Sequence, residues 1–190
     1  MGLDMYLYCN SKKVVNAAWF DDDDDAWHKV YGACAYWRKA NWFHHWFVEH
    51  VQYGNDDCGT YDVSVDQLQE LLETIRTVLA SIEMVDGKVE NGYSFDDGGQ
   101  IVHHYYDGKV IKDSTVAEEL LPVQEGFFFG GYEYVDYYFD SLTWTEAQLT
   151  RILDSVELVK YELWDDYERE LWMAKGETDF AVKFQYSSSW

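Results

Sequence analysis

The histidines and cysteines are the residues that could carry metal or nucleophilic chemistry in this chain. His44, His45 and His50 fall within one helical pattern, and His103 and His104 are adjacent in a stretch that reads as a strand. Neighbouring helical residues point about 100° apart, so His44 and His45 are poorly placed to share one ion. No HExxH occurs, and Cys9, Cys34 and Cys58 lack the CxxC spacing of a structural zinc site. A zinc site would have to assemble from His44, Cys58 and one of His103 or His104. Cys58 with His44 or His45 is the matching nucleophile pair, although acidic surroundings raise a thiol's pKa and so oppose activation. Asp165 and Asp166 could do acid–base work, but so many acids make any one pair uninformative. "GFFFGG" at 126–131 matches neither GxGxxG nor a P-loop. The expectation is therefore no metal, no cofactor and no catalytic residue. A small metal-dependent or hydrolytic enzyme built on His44 and nearby polar residues is the alternative.

Charge is the stronger signal. The chain carries 36 Asp and Glu against 14 Lys and Arg, a formal net charge of −22. Such a field repels phosphate backbones and anionic lipid, which excludes direct nucleic-acid or membrane binding and favours a basic partner. The bland alternative is that the acid only keeps an aromatic-rich chain in solution. Carboxylates interleave with aromatics in "WFDDDDDAW", "YEYVDYYFD" and "YELWDDYERE". Carboxylates along an ordered surface imitate a phosphate array, and adjacent aromatics stack on arginine planes. On that reading the partner-binding residues are Trp19, Asp21, Asp22, Asp23, Asp24, Asp25, Trp27, Asp136, Asp140, Asp165 and Asp166. The competing reading makes the run at about 20–26 a solvated loop whose flanking tryptophans dock it on the core. Calcium is not favoured there, because the run lacks the alternating ligands, glycine and distal glutamate of an EF-hand. Trp37, Asn41 and His44, with Arg38 beside them, sit at spacings of three and four. They form either a recognition face or a packed helix whose polar groups satisfy neighbouring backbone.

These residues need a scaffold, and 18% aromatic content can supply its core. "LDMYLYC" alternates as a first strand, and residues 11–26 lose periodicity and read as loop. Residues 27–51 turn helical, most firmly over about 35–52, with Gly/Asn/Asp at 53–59 as the stop. "SVDQ" at 64–67 is a capping box opening a helix with Leu68, Leu71, Leu72, Ile75, Val78, Leu79 and Ile82 at helical spacing. "VDGKVENGYSFDDGGQ" reads as loop with a short hairpin, and "IVHHYYDGKVI" as two strands turning at Asp107-Gly108. "EELL" suggests a short helix or turn, and "GFFFGG" a buried strand. "YEYVDYYFDSL" fits either period. "TEAQ" at 145–148 is a second capping box, opening a helix to about Lys175, and "DFAVKFQY" is a closing strand. No repeat or linker interrupts the chain. The expected architecture is one α+β domain over 1–190, with helices on a small mixed or antiparallel sheet. An odd cysteine count and a start without a basic n-region and apolar run point to the cytoplasm.

"MGLDMYLY", "YWRKANWFHHWFV" and "GFFFGGYEYVDYYFDS" together resemble a family of uncharacterised phage and bacterial proteins, through most of residues 1–157. The resemblance implies a phage-associated protein of the host cytoplasm, with Trp37, Arg38, Lys39, Asn41 and His44 in the shared motif. The "DDDDD" run lies outside that motif. Charge and resemblance together give the functional expectation. It is a non-enzymatic, anti-CRISPR-like inhibitor that blocks a basic nucleic-acid-binding defence protein of the host by nucleic-acid mimicry.

Overall fold

The computed structural model describes residues 2–19, 32–126, 128–161 and 182–190. The elements in chain order are β1 (Asp4–Cys9), α1 (Lys12–Ala18), β2 (Ala33–Arg38), α2 (Asn41–His50), β3 (Thr60–Val63) and α3 (Val65–Ser81). They continue with β4 (Met84–Phe95), β5 (Ile101–Ile111), α4 (Thr115–Leu120), α5 (Asp136–Tyr161) and β6 (Phe184–Ser189). The architecture is α+β. β1, β2, β3 and β6 form a sheet in the order β2-β1-β6-β3, with every pairing antiparallel. β4 and β5 form a separate two-stranded ribbon.

The first and last strands behave as their alternation predicts. β1 buries Met5, Leu7 and Cys9, and β6 buries Phe184, Tyr186 and Ser188. β6 begins at Phe184 and continues past the predicted end, pairing along the whole of β1. α3 also follows its pattern. The Ser64 side chain accepts from the Gln67 backbone N–H, and the Gln67 side chain accepts from that of Ser64, so two orphan donors are satisfied. The predicted stripe is buried at Leu68, Leu71, Leu72, Ile75 and Val78, and partly buried at Leu79 and at Ile82, which caps the helix end. One apolar cluster then joins this stripe, the sheet and the inner faces of α1, α2 and α5.

Several sequence expectations are corrected. The stretch read as loop over 11–26 contains α1, where Ser11 accepts from Val14 and the apolar Val14, Val15 and Ala18 face inward. Residues 33–38, read as part of a helix, form β2. Ala33, Cys34, Ala35 and Trp37 are all buried there, so the strand shows no alternation, and a 3–4 spacing arises by coincidence. Asp107-Gly108 is no turn. Gly108 lies mid-strand opposite Gly87, and a Cβ on it would meet the Val89 side chain at 2.8 Å. The ribbon turns instead at 96–100, where Asp96 Oδ1 accepts from the N–H groups of Gly98 and Gln100.

"GFFFGG" does not form a strand, because Phe128 (φ +65°) and Gly130 (φ +107°) both leave the extended region. "TEAQ" is not a cap, because α5 is continuous from Asp136. Thr145 and Gln148 sit on its buried face. Thr145 Oγ1 accepts from the Trp37 indole at 2.8 Å, and Gln148 Nε2 donates to the Cys34 carbonyl at 2.7 Å. The predicted extension of this helix to Lys175, and residues 179–181 of the predicted final strand, lie outside the described residues.

Candidate interaction surface

The proposed recognition face is dismantled by the fold. Trp37 is on β2, not on the helix, and its ring is buried against Phe43, Phe47 and Trp144. Asn41 and His44 open α2 and are fully buried. Asn41 clamps the segment after α4: its Nδ2 donates to the carbonyls of Phe129 (3.3 Å) and Gly131 (2.9 Å), and its Oδ1 accepts from the Gln124 N–H (2.9 Å). Only Arg38 of the four is exposed, with its Nε 4.0 Å from Asp4. The packed reading of this helix is the one realised.

His44 has both ring nitrogens engaged. Nε2 lies 3.1 Å from Asp56 Oδ1, and Nδ1 lies 2.8 Å from the Tyr186 hydroxyl. A carboxylate only accepts, so the neutral ring carries its proton on Nε2 and receives the tyrosine's hydrogen at Nδ1. Burial pushes the His44 pKa below its usual value, against the opposing pull of Asp56. Burial also holds the Tyr186 phenol well above its ordinary value. The array ties α2, the 51–59 loop and β6 together. Asp56 Oδ1 also accepts from the Trp190 indole at 3.1 Å.

The long-range zinc set does not assemble. His103 and His104 lie on opposite faces of the β4–β5 ribbon. His103 is paired with Glu90 at 2.5 Å and His104 with Ser94 at 2.9 Å. Among the described residues no group of three His, Cys, Asp or Glu could hold a metal ion. Cys58 is exposed, and both nitrogens of His44 are taken by other partners, so the Cys58–His44 pair does not form. His45 is partly exposed on the same helix.

Of the acidic–aromatic set, Trp19 is in the core, where its indole donates to the Ala33 carbonyl at 2.8 Å. It is a docking residue and offers no ring to a partner. Asp21, Asp22, Asp23, Asp24, Asp25 and Trp27 lie outside the described residues, as do Asp165 and Asp166. Asp136 is partly exposed at the start of α5, and Asp140 is exposed one turn on. Asp140, Trp37 and Arg38 meet at a cleft of about 270 Å³ walled by Tyr36, Tyr137 and Trp144.

The acids around these two are more informative than either alone. Residues 113–150 hold eight carboxylates and no Lys or Arg. Asp113, Glu118, Glu119, Glu125, Glu133 and Asp140 are exposed, and Asp136 and Glu146 partly so. Four cations elsewhere are already held. Arg76 bonds both Glu73 and Glu146 at 3.0 Å, and Lys88, Lys109 and Lys112 each meet a carboxylate at 2.6–2.8 Å. The sequence signal for this surface was the absence of Lys and Arg between Lys112 and Arg151, which the aromatic motifs obscured.

The ribbon is the second feature that motif reading missed. It pairs along its length from Met84↔Ile111 to Phe95↔Ile101, with an irregularity between Glu90 and Tyr93. Ile111 is buried at its base and Val89 about halfway along. Beyond them Tyr93 (61% exposed), Phe95 (65%), Ile101 (56%) and Tyr105 (57%) share one face. No described helix is long and apolar enough to cross a membrane. Comparison of the chain with protein-family models, with curated proteins and with solved structures finds no match.

Proposed function

We propose that this chain is an acidic binding protein that occupies the basic surface of a nucleic-acid-binding protein. A host defence effector of the kind that phage-encoded, anti-CRISPR-like inhibitors block is the expected target. The observation that carries the reading is the cation-free stretch 113–150, whose eight carboxylates spread over the residues just before α4, α4 itself, the segment after it and the first half of α5. Apart from Glu146, which Arg76 holds, none of these carboxylates is in an ion pair among the described residues, so seven remain to meet a partner's Lys and Arg. Asp136 and Asp140 belong to this surface, and the Asp21–Asp25 run adds charge of the same sign. Opposite fields steer association and make it salt-dependent, since the screening length falls from about 10 Å at 0.1 M to about 3 Å at 1 M.

Affinity capture from bacterial lysate at low and high salt tests the reading. The expected result is a basic nuclease or guide-RNA effector, identified by mass spectrometry, retained at low salt and released at high salt. The reading is overturned if Asp136→Asn with Asp140→Asn, and Asn at Asp21 to Asp25, leave inhibition of that protein and its salt response unchanged.

A further inference from the structure

The β4–β5 ribbon has an exposure pattern that packing does not explain. A two-stranded ribbon of this length spans roughly 35 Å at about 3.4 Å per residue, and it is buried only in its inner half, at Ile111 and Val89. An isolated hairpin is marginal in water, and contiguous exposed aromatics on a soluble chain mark a contact site. Side chains directly opposite across the strands share a face. Tyr93 therefore sits with His103, Phe95 with Ile101, and Tyr105 with Glu90 on one surface. The Tyr93 and Phe95 rings meet edge to face, with centroids 5.8 Å apart. The other face carries Ser94, Val102, His104 and Tyr106, and at mid-ribbon it closes over the body through Val89.

Charge selects the occupant. Residues 89–107 contain Glu90, Asp96, Asp97 and Asp107 and no Lys or Arg. Glu90 is paired with His103 and Asp107 with Lys88, whereas Asp96, whose Oδ1 caps the turn, and Asp97 are exposed at the tip beside Phe95 and in no ion pair among the described residues. A second copy would bring acid against acid in a chain of net charge −22, which disfavours ribbon-to-ribbon pairing. A guanidinium is planar, stacks on aromatic faces and pairs with carboxylates, so an arginine-lined groove satisfies both features of the face.

We propose that this ribbon is an arm that inserts its Tyr93–Phe95–Ile101–Tyr105 face into an arginine-lined groove of a basic protein. The proposal rests on the acidic-binding reading and assigns the contact element within it.

The test compares two labelled peptides of about 20 residues and equal charge, one arginine-rich and one lysine-rich, by fluorescence anisotropy. The wild-type chain should bind the arginine peptide more tightly, because an ammonium lacks the stacking plane. Tyr93→Ser with Phe95→Ser and Tyr105→Ser should cost the arginine peptide about tenfold or more and erase the preference. Tyr53→Ser, an exposed tyrosine in the 51–59 loop, should change neither peptide. Equal affinities for the two peptides in the wild type, or an unchanged preference in the triple variant, would overturn the arm while leaving the acidic reading standing. Failure of both peptides to bind would overturn the acidic reading itself. A wild-type dimer in sedimentation that the triple variant abolishes would assign the face to a second copy and also overturn the proposal.

Discussion

Replacing Asn41 by alanine separates a structural from a recognition role at the start of α2. The side chain is fully buried and makes three hydrogen bonds, to the Phe129 and Gly131 carbonyls and from the Gln124 N–H. Truncation removes all three and leaves an N–H and two carbonyls of the 124–131 segment without that partner. At about 1 kcal/mol net per bond, with more where a group stays buried and unpaired, the loss is about 3 kcal/mol. For a domain of this size each kcal/mol lowers Tm by about 2–4 °C, so Asn41→Ala should melt about 6–12 °C below wild type. Asn41→Asp should be at least as damaging, because it turns a carboxylate oxygen toward the two carbonyls that Nδ2 now serves. Urea unfolding followed by tryptophan fluorescence reads both variants. The reasoning is refuted if Asn41→Ala lies within about 0.5 kcal/mol of wild type, or if Asn41→Asp is the more stable of the two.

Two further outcomes concern titration and thiol exposure. Burial lowers the His44 pKa in the folded chain, so on acidification the unfolded chain takes up the proton first, near pH 6.5. His44 should therefore leave stability unaffected above that pH and reduce it progressively below, until the folded group titrates as well. His44→Gln should flatten the slope between pH 7 and 5, and identical slopes in the two proteins would rule the array out as its source. Cys58 is exposed, whereas Cys9 and Cys34 are buried, with burial pushing the Cys9 thiol up to about 11. Brief maleimide treatment of the native chain should add one label, at Cys58. All three cysteines should react in denaturant, and native labelling of Cys34 would contradict the packing around β2.

Legibility in the sequence tracked how directly a pattern encodes burial. β1 and β6 alternate, and α3 carries both a stripe and reciprocal caps, so all three were readable. β2 was not, because a strand whose Ala33, Cys34, Ala35 and Trp37 are all buried shows no period of two. Motifs also misled where tertiary contacts reuse the same residues. The Thr145 and Gln148 of "TEAQ" bond Trp37 and Cys34 across the core, and Gly108 packs against Val89 within a strand. His44 and Asn41 stood out as polar residues among aromatics, but only the fold reveals that Asp56, Tyr186 and the 124–131 segment supply their partners. The acidic character was plain from composition. Its arrangement, with Arg76, Lys88, Lys109 and Lys112 paired and every carboxylate of 113–150 except Glu146 outside those pairs, was hidden until the ion pairs could be placed.

The most direct test of the acidic-binding account is competition. A labelled oligonucleotide bound to the basic effector recovered by low-salt capture is titrated with this chain at about 0.1 M salt, and the anisotropy of the label is followed. The account predicts displacement of the oligonucleotide, weakened by salt and by Asp136→Asn with Asp140→Asn. A ternary complex in which the oligonucleotide stays bound, or displacement that the substitutions and salt do not alter, would contradict it.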